Sequence, residues 1–234
     1  MATQLSQGSY RVPLPATASH FPGFPPPALS FQVRKWVKSP KQVPIVLIDE
    51  EVPLVSVVAT DNYKGGHIAG EHLAQRGRKK IAVVAGRMNV PGGYNAEQRV
   101  KGFQQALREK GLSIPQERVI EAPHYSRKDG IELMPKLLSL GIDAVFCAAG
   151  DNCAVGLLAA LREHHVRVPE DIAIVGFDDL RIAQISTPPL TTIKQPLEKM
   201  ADAAFKMAVV HRADILSKPQ RTMFEPELVV RKSA

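Results

Sequence analysis

A chain of 234 residues, 44% hydrophobic and 23% charged, has room for one large or two small domains. It contains no apolar run near the length that crosses a bilayer, and its start lacks a basic segment leading into an apolar stretch and a small-residue cleavage site, so a cytoplasmic location is expected. The net charge of +7 would suit a nucleic-acid surface, but Arg11, Arg34, Lys35, Lys38 and Lys41 lie in an acid-free stretch, leaving residues 43–234 close to neutral.

Residues 1–42 hold seven of the 19 prolines, including Pro25-Pro26-Pro27, and show no helical or alternating period. Such a segment buries too little surface to offset its ordering entropy and predicts a disordered basic arm. From Pro44 onward the chain alternates apolar β-branched runs with amphipathic stretches. Strands are predicted at 44–48, 55–59, 81–85, 118–121, 143–148, 172–177, 190–193 and 226–231. Helices are predicted at about 64–76, 95–110, 128–139, 152–164 and 196–212, with Asn95 and Asp151 as N-caps of the second and fourth. Gly77 and Gly111 stand where helices would stop. This alternation is that of a doubly wound, parallel α/β protein.

Several chemistries are not expected. Cys147 and Cys153, spaced C-x5-C without further ligands, read as two buried reduced thiols, and the seven histidines form no metal-binding motif. No metal or cofactor is expected. The glycines Gly65, Gly66 and Gly70 match neither phosphate-loop fingerprint and read as helix entry and close packing. There is no nucleophile elbow and no Cys–His or Ser–His pair placed by motif, so an enzyme is not expected. Asp178 and Asp179 are adjacent and cannot flank one glycosidic bond.

The most informative stretch is 172–196, IAIVGFDDLRIAQISTPPLTTIKQP. Its apolar run is that of a parallel strand buried on both faces, and it breaks at Asp178, where open α/β sheets hold ligands. Arg99, Tyr125 and Asp151 follow other predicted strands in the same way. A carboxylate takes hydroxyl or ring N–H donors, an arginine fork grips oxygens, and an aromatic ring covers an apolar ring face. The set suits a small polar ligand in a cleft.

This stretch resembles the ligand-sensing domain of the LacI/GalR family of bacterial transcription regulators, where a GFDD or GYDD strand end followed by PPLTTI-x-Q recurs. The resemblance continues through TDNYKGGHIAGEHLAQRGRKKIAVVAG, RVKGFQQALREKGL (99–112) and AVFCAAGDNCAVGLLAAL (144–161), covering roughly residues 43–232. It implies a periplasmic-binding-protein-like (type I) fold with a complete C-terminal subdomain at 78–190 and 218–234. Residues 43–77 and 191–217 would form a partial N-terminal subdomain.

By the same resemblance, Asp178 and Arg99 match effector-contacting residues, Tyr125 falls where an aromatic packs on the ligand, and Asn95 where a small polar residue donates a hydrogen bond. Asn95 and Asp151 are both natural N-caps and so the weaker candidates, and Asp179 is expected to be structural. Gly93 and Gly150 replace longer polar residues used by some members, which leaves the effector open between a sugar and a nucleobase-like molecule. The family implies a homodimer whose closure on effector moves DNA-binding heads on operator DNA. No helix-turn-helix head is recognisable here, and an N-terminally truncated regulator is the expectation. A periplasmic-type sugar-binding protein, or a truncated product without independent function, is the alternative.

Overall fold

The computed structural model describes residues 9–11, 44–50, 55–90, 92–211, 215 and 218–234. By its contacts the chain divides into two units, one of 1–61, 90–94 and 196–225, the other of 62–89, 95–195 and 226–234.

The larger unit is built on a six-stranded sheet. Its strands are β4 (Ile81–Ala85), β5 (Val119–Glu121), β6 (Ala144–Cys147), β7 (Ala173–Asp178), β8 (Thr191–Lys194) and β10 (Glu227–Val229), in the order β10-β8-β7-β6-β4-β5. All neighbours are parallel except β10, which pairs antiparallel to β8. Its central strands are buried on both faces, which is why they read as continuous apolar runs. Alternate residues feed two cores. Ala82, Val84, Val145, Cys147 and Ile174 face one, while Ile81, Val83, Phe146, Val175 and Phe177 face the other.

Each face carries a helix pair joined by reciprocal glycines. On one lie α1 (Asn62–Gln75) and α2 (Tyr94–Glu109); on the other lie α3 (Arg127–Ser139) and α4 (Asp151–Glu163). A Cβ on Gly66 would lie 1.9 Å from the Arg99 carbonyl oxygen, and one on Gly102 1.9 Å from that of Tyr63. Across the sheet, a Cβ on Gly130 would lie 2.1 Å from the Cys153 carbonyl oxygen, and one on Gly156 2.1 Å from that of Arg127. The glycines of the first pair therefore let two backbones touch, which for Gly66 is the packing role expected of it. Phe103, Phe146 and Phe177 run through the same face with ring centroids 4.7 and 6.4 Å apart. Burying each contributes roughly 2 kcal/mol.

The smaller unit has the sheet order β1-β9-β3-β2, formed by β1 (Ser9–Arg11), β2 (Val46–Ile48), β3 (Ser56–Thr60) and β9 (Arg221–Phe224). Strand β3 lies between β2 and β9, parallel to both, and β1 is antiparallel to β9. Helix α6 (Leu197–Val209) packs Met200, Ala204 and Met207 against Val58 and Phe224.

Four expectations need correction. The disordered arm lies outside the described residues except at Ser9–Arg11, where strand pairing with Thr222–Phe224 replaces it. The single predicted strand at 226–231 is preceded by β9, an unpredicted strand in the other sheet. Residues 191–194 belong with the six-stranded sheet through β7, α1 also joins that unit, and residues 218–225 join the smaller one, so the expected subdomain boundaries shift at three places. Finally, α2 begins at Tyr94 and α4 at Asp151, so Asn95 and Asp151 are inside their helices and cap neither.

Candidate functional site

The carboxyl ends of β6 and β7 bring together the polar residues singled out from the sequence. Strand β7 ends at Asp178, whose Oδ1 accepts a hydrogen bond of 2.6 Å from Gln195 Nε2, just past β8. Asp178 and Asp179 have φ of 117° and 59°, conformations that side chains larger than glycine rarely adopt. Each of three consecutive residues is tied to a different element. Gln195 holds Asp178, Arg231 Nη2 donates to Asp179 Oδ1 at 2.6 Å, and the Leu180 N–H donates to Asp151 Oδ2 at 2.8 Å. Asp179 is thus an ion-pair partner within the fold, the structural role expected of it.

Arg99, on the second turn of α2, lies with its guanidinium carbon 3.6 Å from the centroid of the Phe177 ring. Its Nε donates to Asn62 Oδ1 at 2.7 Å and its Nη1 to the Ala148 carbonyl at 2.9 Å. Asn62 is the first residue of α1 and is buried. The charge is held flat against an aromatic face, beside the residue that precedes Asp178. Cation–π contact of this kind contributes about 1 kcal/mol and fixes the orientation of the fork.

Asp151 is not an accessible ligand. Its carboxylate has no exposed surface, and its two oxygens take Thr192 Oγ1 at 2.6 Å and the Leu180 N–H. Burial pushes its pKa up from 3.8 to about 7 against those two hydrogen bonds, with Asp178 and Asp179 adding repulsion. The neighbouring Cys147 thiol is also pushed up, chiefly by burial. Both cysteines are buried and free.

Tyr125 has φ of 55° and sits just ahead of Ser126, whose side chain and that of Asp129 form a capping box at the start of α3. Its ring leans on Gly86, where a Cβ would come within 2.2 Å, and its hydroxyl accepts from the Arg87 N–H at 2.9 Å. The next two N–H groups of that loop donate to Glu121 and Glu97, so the loop after β4 is latched by three side chains. Tyr125 is 38% exposed. Asn95 is half-buried in the first turn of α2. The structure thus sets Arg99 on the Phe177 ring next to Asp178 in sequence, and Asp151 under the loop that follows, while Tyr125 stands over the adjacent β4 loop.

Sequence reasoning missed four residues of this arrangement: Asn62, Gln195, Thr192 and Arg231. The first three sit inside the D-N-x-x-G-G and PPLTTI-x-Q phrases; nothing marked Arg231. Among the described residues no group of three His, Cys, Asp or Glu could hold a metal ion. No helix among them is long and apolar enough to cross a membrane.

Residues 70–234 match the family model for the periplasmic binding protein-like domain. The chain belongs to that family. Within it, the kinship is with LacI/GalR regulators. The domain is 33% identical over 195 residues to the HTH-type transcriptional regulator DegA of Bacillus subtilis, covering 82% of this chain and 57% of DegA. It superposes on a transcriptional regulator CelR–cellobiose complex with a TM-score of 0.74 at 31% identity, covering 81% of this chain and 58% of that one. A LacI family regulator from Enterococcus faecium with bound ribose gives a TM-score of 0.72 at 29% identity, covering 82% and 70%. The chain spans about three-fifths of the length of the curated relatives it matches. Its mixed α/β architecture with parallel sheets is that of the periplasmic-binding-protein-like fold.

Proposed function

We propose that this chain is the effector-sensing part of a LacI/GalR-type transcription regulator, acting in the cytoplasm as a homodimer. Its effector is a small hydroxylated molecule of the sugar class. The observation that carries this reading is the pairing of a carboxylate at the end of β7, Asp178, with an arginine stacked on the preceding residue, Phe177. Asp178 accepts from ligand hydroxyls and Arg99 donates to a ligand oxygen, both as charge-assisted hydrogen bonds. Tyr125 and Asn95 are the proposed secondary contacts. The cellobiose and ribose held by two related regulators support a sugar over a nucleobase.

Binding acts by population shift: effector stabilises one arrangement of the regulator over another, and operator DNA affinity changes with it. The protein is a binder and not an enzyme, so bound ligand is recovered chemically unchanged.

Thermal denaturation against a panel of pentoses, hexoses, disaccharides and nucleobases tests the reading. A sugar present at about a hundred times its Kd stabilises by ~2.7 kcal/mol, raising Tm by roughly 5–10 °C. A panel in which only nucleobases raise Tm overturns the ligand class; one in which nothing does overturns the sensor reading.

A further inference from the structure

The loop Asp178–Leu180 carries the principal proposed contact in a backbone conformation unfavourable for its side chains, so something must hold it. The ties at Asp178 and Asp179 reach outward to Gln195 and Arg231. The third tie is internal. Asp151, on the first turn of α4, offers Oδ2 to the Leu180 N–H and Oδ1 to Thr192 on β8. No side chain caps α5 (Arg181–Ile185) locally, so the loop's entry into that helix is fixed from a residue 29 positions away.

Two glycines make room for the arrangement. A Cβ on Gly176 of β7 would come within 2.4 Å of Asp151 Oδ1, and one on Gly150 within 2.8 Å of Asp178 Oδ2. The fold leaves out a side chain wherever one of these carboxylates has to lie.

We propose that Asp151 is a positioning residue of the effector site. It touches no ligand, but sets the direction of the Asp178 carboxylate by anchoring Leu180. This proposal rests on the reading of Asp178 as an effector contact.

The anchor is titratable near neutrality, since burial lifts its pKa to about 7. The groups facing it are Asp178 and Asp179 from β7, the latter paired with Arg231 beyond β10; Thr192 from β8; and the Cys147 thiol of β6. When ionised, Asp151 accepts from both partners. When protonated, its hydroxyl donates to Thr192 Oγ1 and the remaining oxygen accepts from Leu180 without the charge. A charge-assisted bond is about twice as strong as a neutral one. Desolvation and the repulsion from Asp178 and Asp179 outweigh that gain, which is why the pKa is raised, so ionisation loosens the loop and effector affinity falls between pH 6 and pH 8.

The test needs no ligand. In ¹⁵N–¹H spectra of the full chain, the Leu180 amide reports the anchor and the Gln195 side-chain amide reports the Asp178 carboxylate. Both are expected to titrate together with a midpoint near 7, and both to stop titrating in Asp151→Asn. In Thr192→Val, which removes one hydrogen bond to the carboxylate, the shared midpoint moves up. A Gln195 resonance that titrates unchanged in Asp151→Asn, or stays still while Leu180 moves, overturns the proposal. Calorimetry with D-ribose and cellobiose at pH 6 and 8 is the second arm. Failure of both sugars to bind counts against the sugar-sensor reading, while the resonances decide the role of Asp151 by themselves.

Discussion

Replacing Gly66 with alanine tests how Arg99 is positioned. The added Cβ would lie 1.9 Å from the carbonyl oxygen of Arg99. Carbon and carbonyl oxygen ordinarily approach to about 3.3 Å, so α2 must retreat from α1 by more than ~1 Å. The obstacle is backbone and cannot rotate aside. Overpacking of this kind costs about 1–3 kcal/mol, and the greater helix propensity of alanine returns about 1 kcal/mol. A clash this deep against backbone belongs at the upper end of that range, so we expect a net loss of about 2 kcal/mol, seen as a fall in Tm of roughly 4–8 °C by circular dichroism. Because Arg99 is the residue being pushed, its guanidinium leaves the Phe177 ring and the Asn62 amide, and effector affinity falls tenfold or more. Gly70→Ala meets the Cβ of Ala106 at 2.8 Å and the Phe103 carbonyl oxygen at 2.9 Å, longer approaches than at Gly66, and should cost less. A Gly66→Ala protein at least as stable as the wild type would show that α1 and α2 are not in backbone contact here, since helix propensity alone predicts a gain of about 1 kcal/mol.

Two further outcomes follow from the ties around β7. Arg231→Met leaves the Asp179 carboxylate, only 10% exposed, without its 2.6 Å partner and should destabilise by about 2–3 kcal/mol in urea denaturation. Adding Asp179→Asn should recover part of that loss, and no recovery would show that the pair is not the cause. The Asp151 pKa is raised on folding, from 3.8 to about 7, so between those values the folded chain keeps a proton that the unfolded chain has released. This group therefore makes stability fall as pH rises through that window and level off above it, by about 4 kcal/mol at most. Asp151→Asn should flatten the dependence between pH 5 and 8, and an unchanged slope would assign it to other groups.

The larger unit was legible because its strands are buried on both faces. Runs such as Ile172–Phe177 and Ile81–Ala85 have no alternative use, and their carboxyl ends locate Asp178 without further help. Strand β9 was not legible: its four residues sit between Pro219 and Pro226 without alternation, and parallel pairing with β3 is a relation across 164 residues. Asp151 shows a different limit. An acid before a predicted helix reads as an N-cap, but the cap is Gly150 with φ of 106°, and the carboxylate turns inward to partners at 180 and 192. Its distance along the chain from both partners hid its role. Asn95 was misread as a cap for a simpler reason, a helix that starts one residue earlier, at Tyr94.

The glycines fared better than the polar residues. Gly66 could be read as a packing position from the failure of every phosphate-loop spacing, though its reciprocal partner Gly102 was not. Arg99 was found through its R-x-x-G-F phrase, whose glycine is Gly102 itself. The backbone contact between α1 and α2 and the placing of the arginine are one device.

Effector recognition stands on the assignment of Asp178 and Arg99 to a small hydroxylated ligand. Titration calorimetry of whichever sugar stabilises the protein most, with the wild type and with Asp178→Asn and Arg99→Met, tests it most directly. Loss of one charge-assisted hydrogen bond should weaken Kd by about ten- to a hundredfold in each variant, with the fold retained by circular dichroism. An unchanged Kd in both well-folded variants would contradict the account and move the site elsewhere.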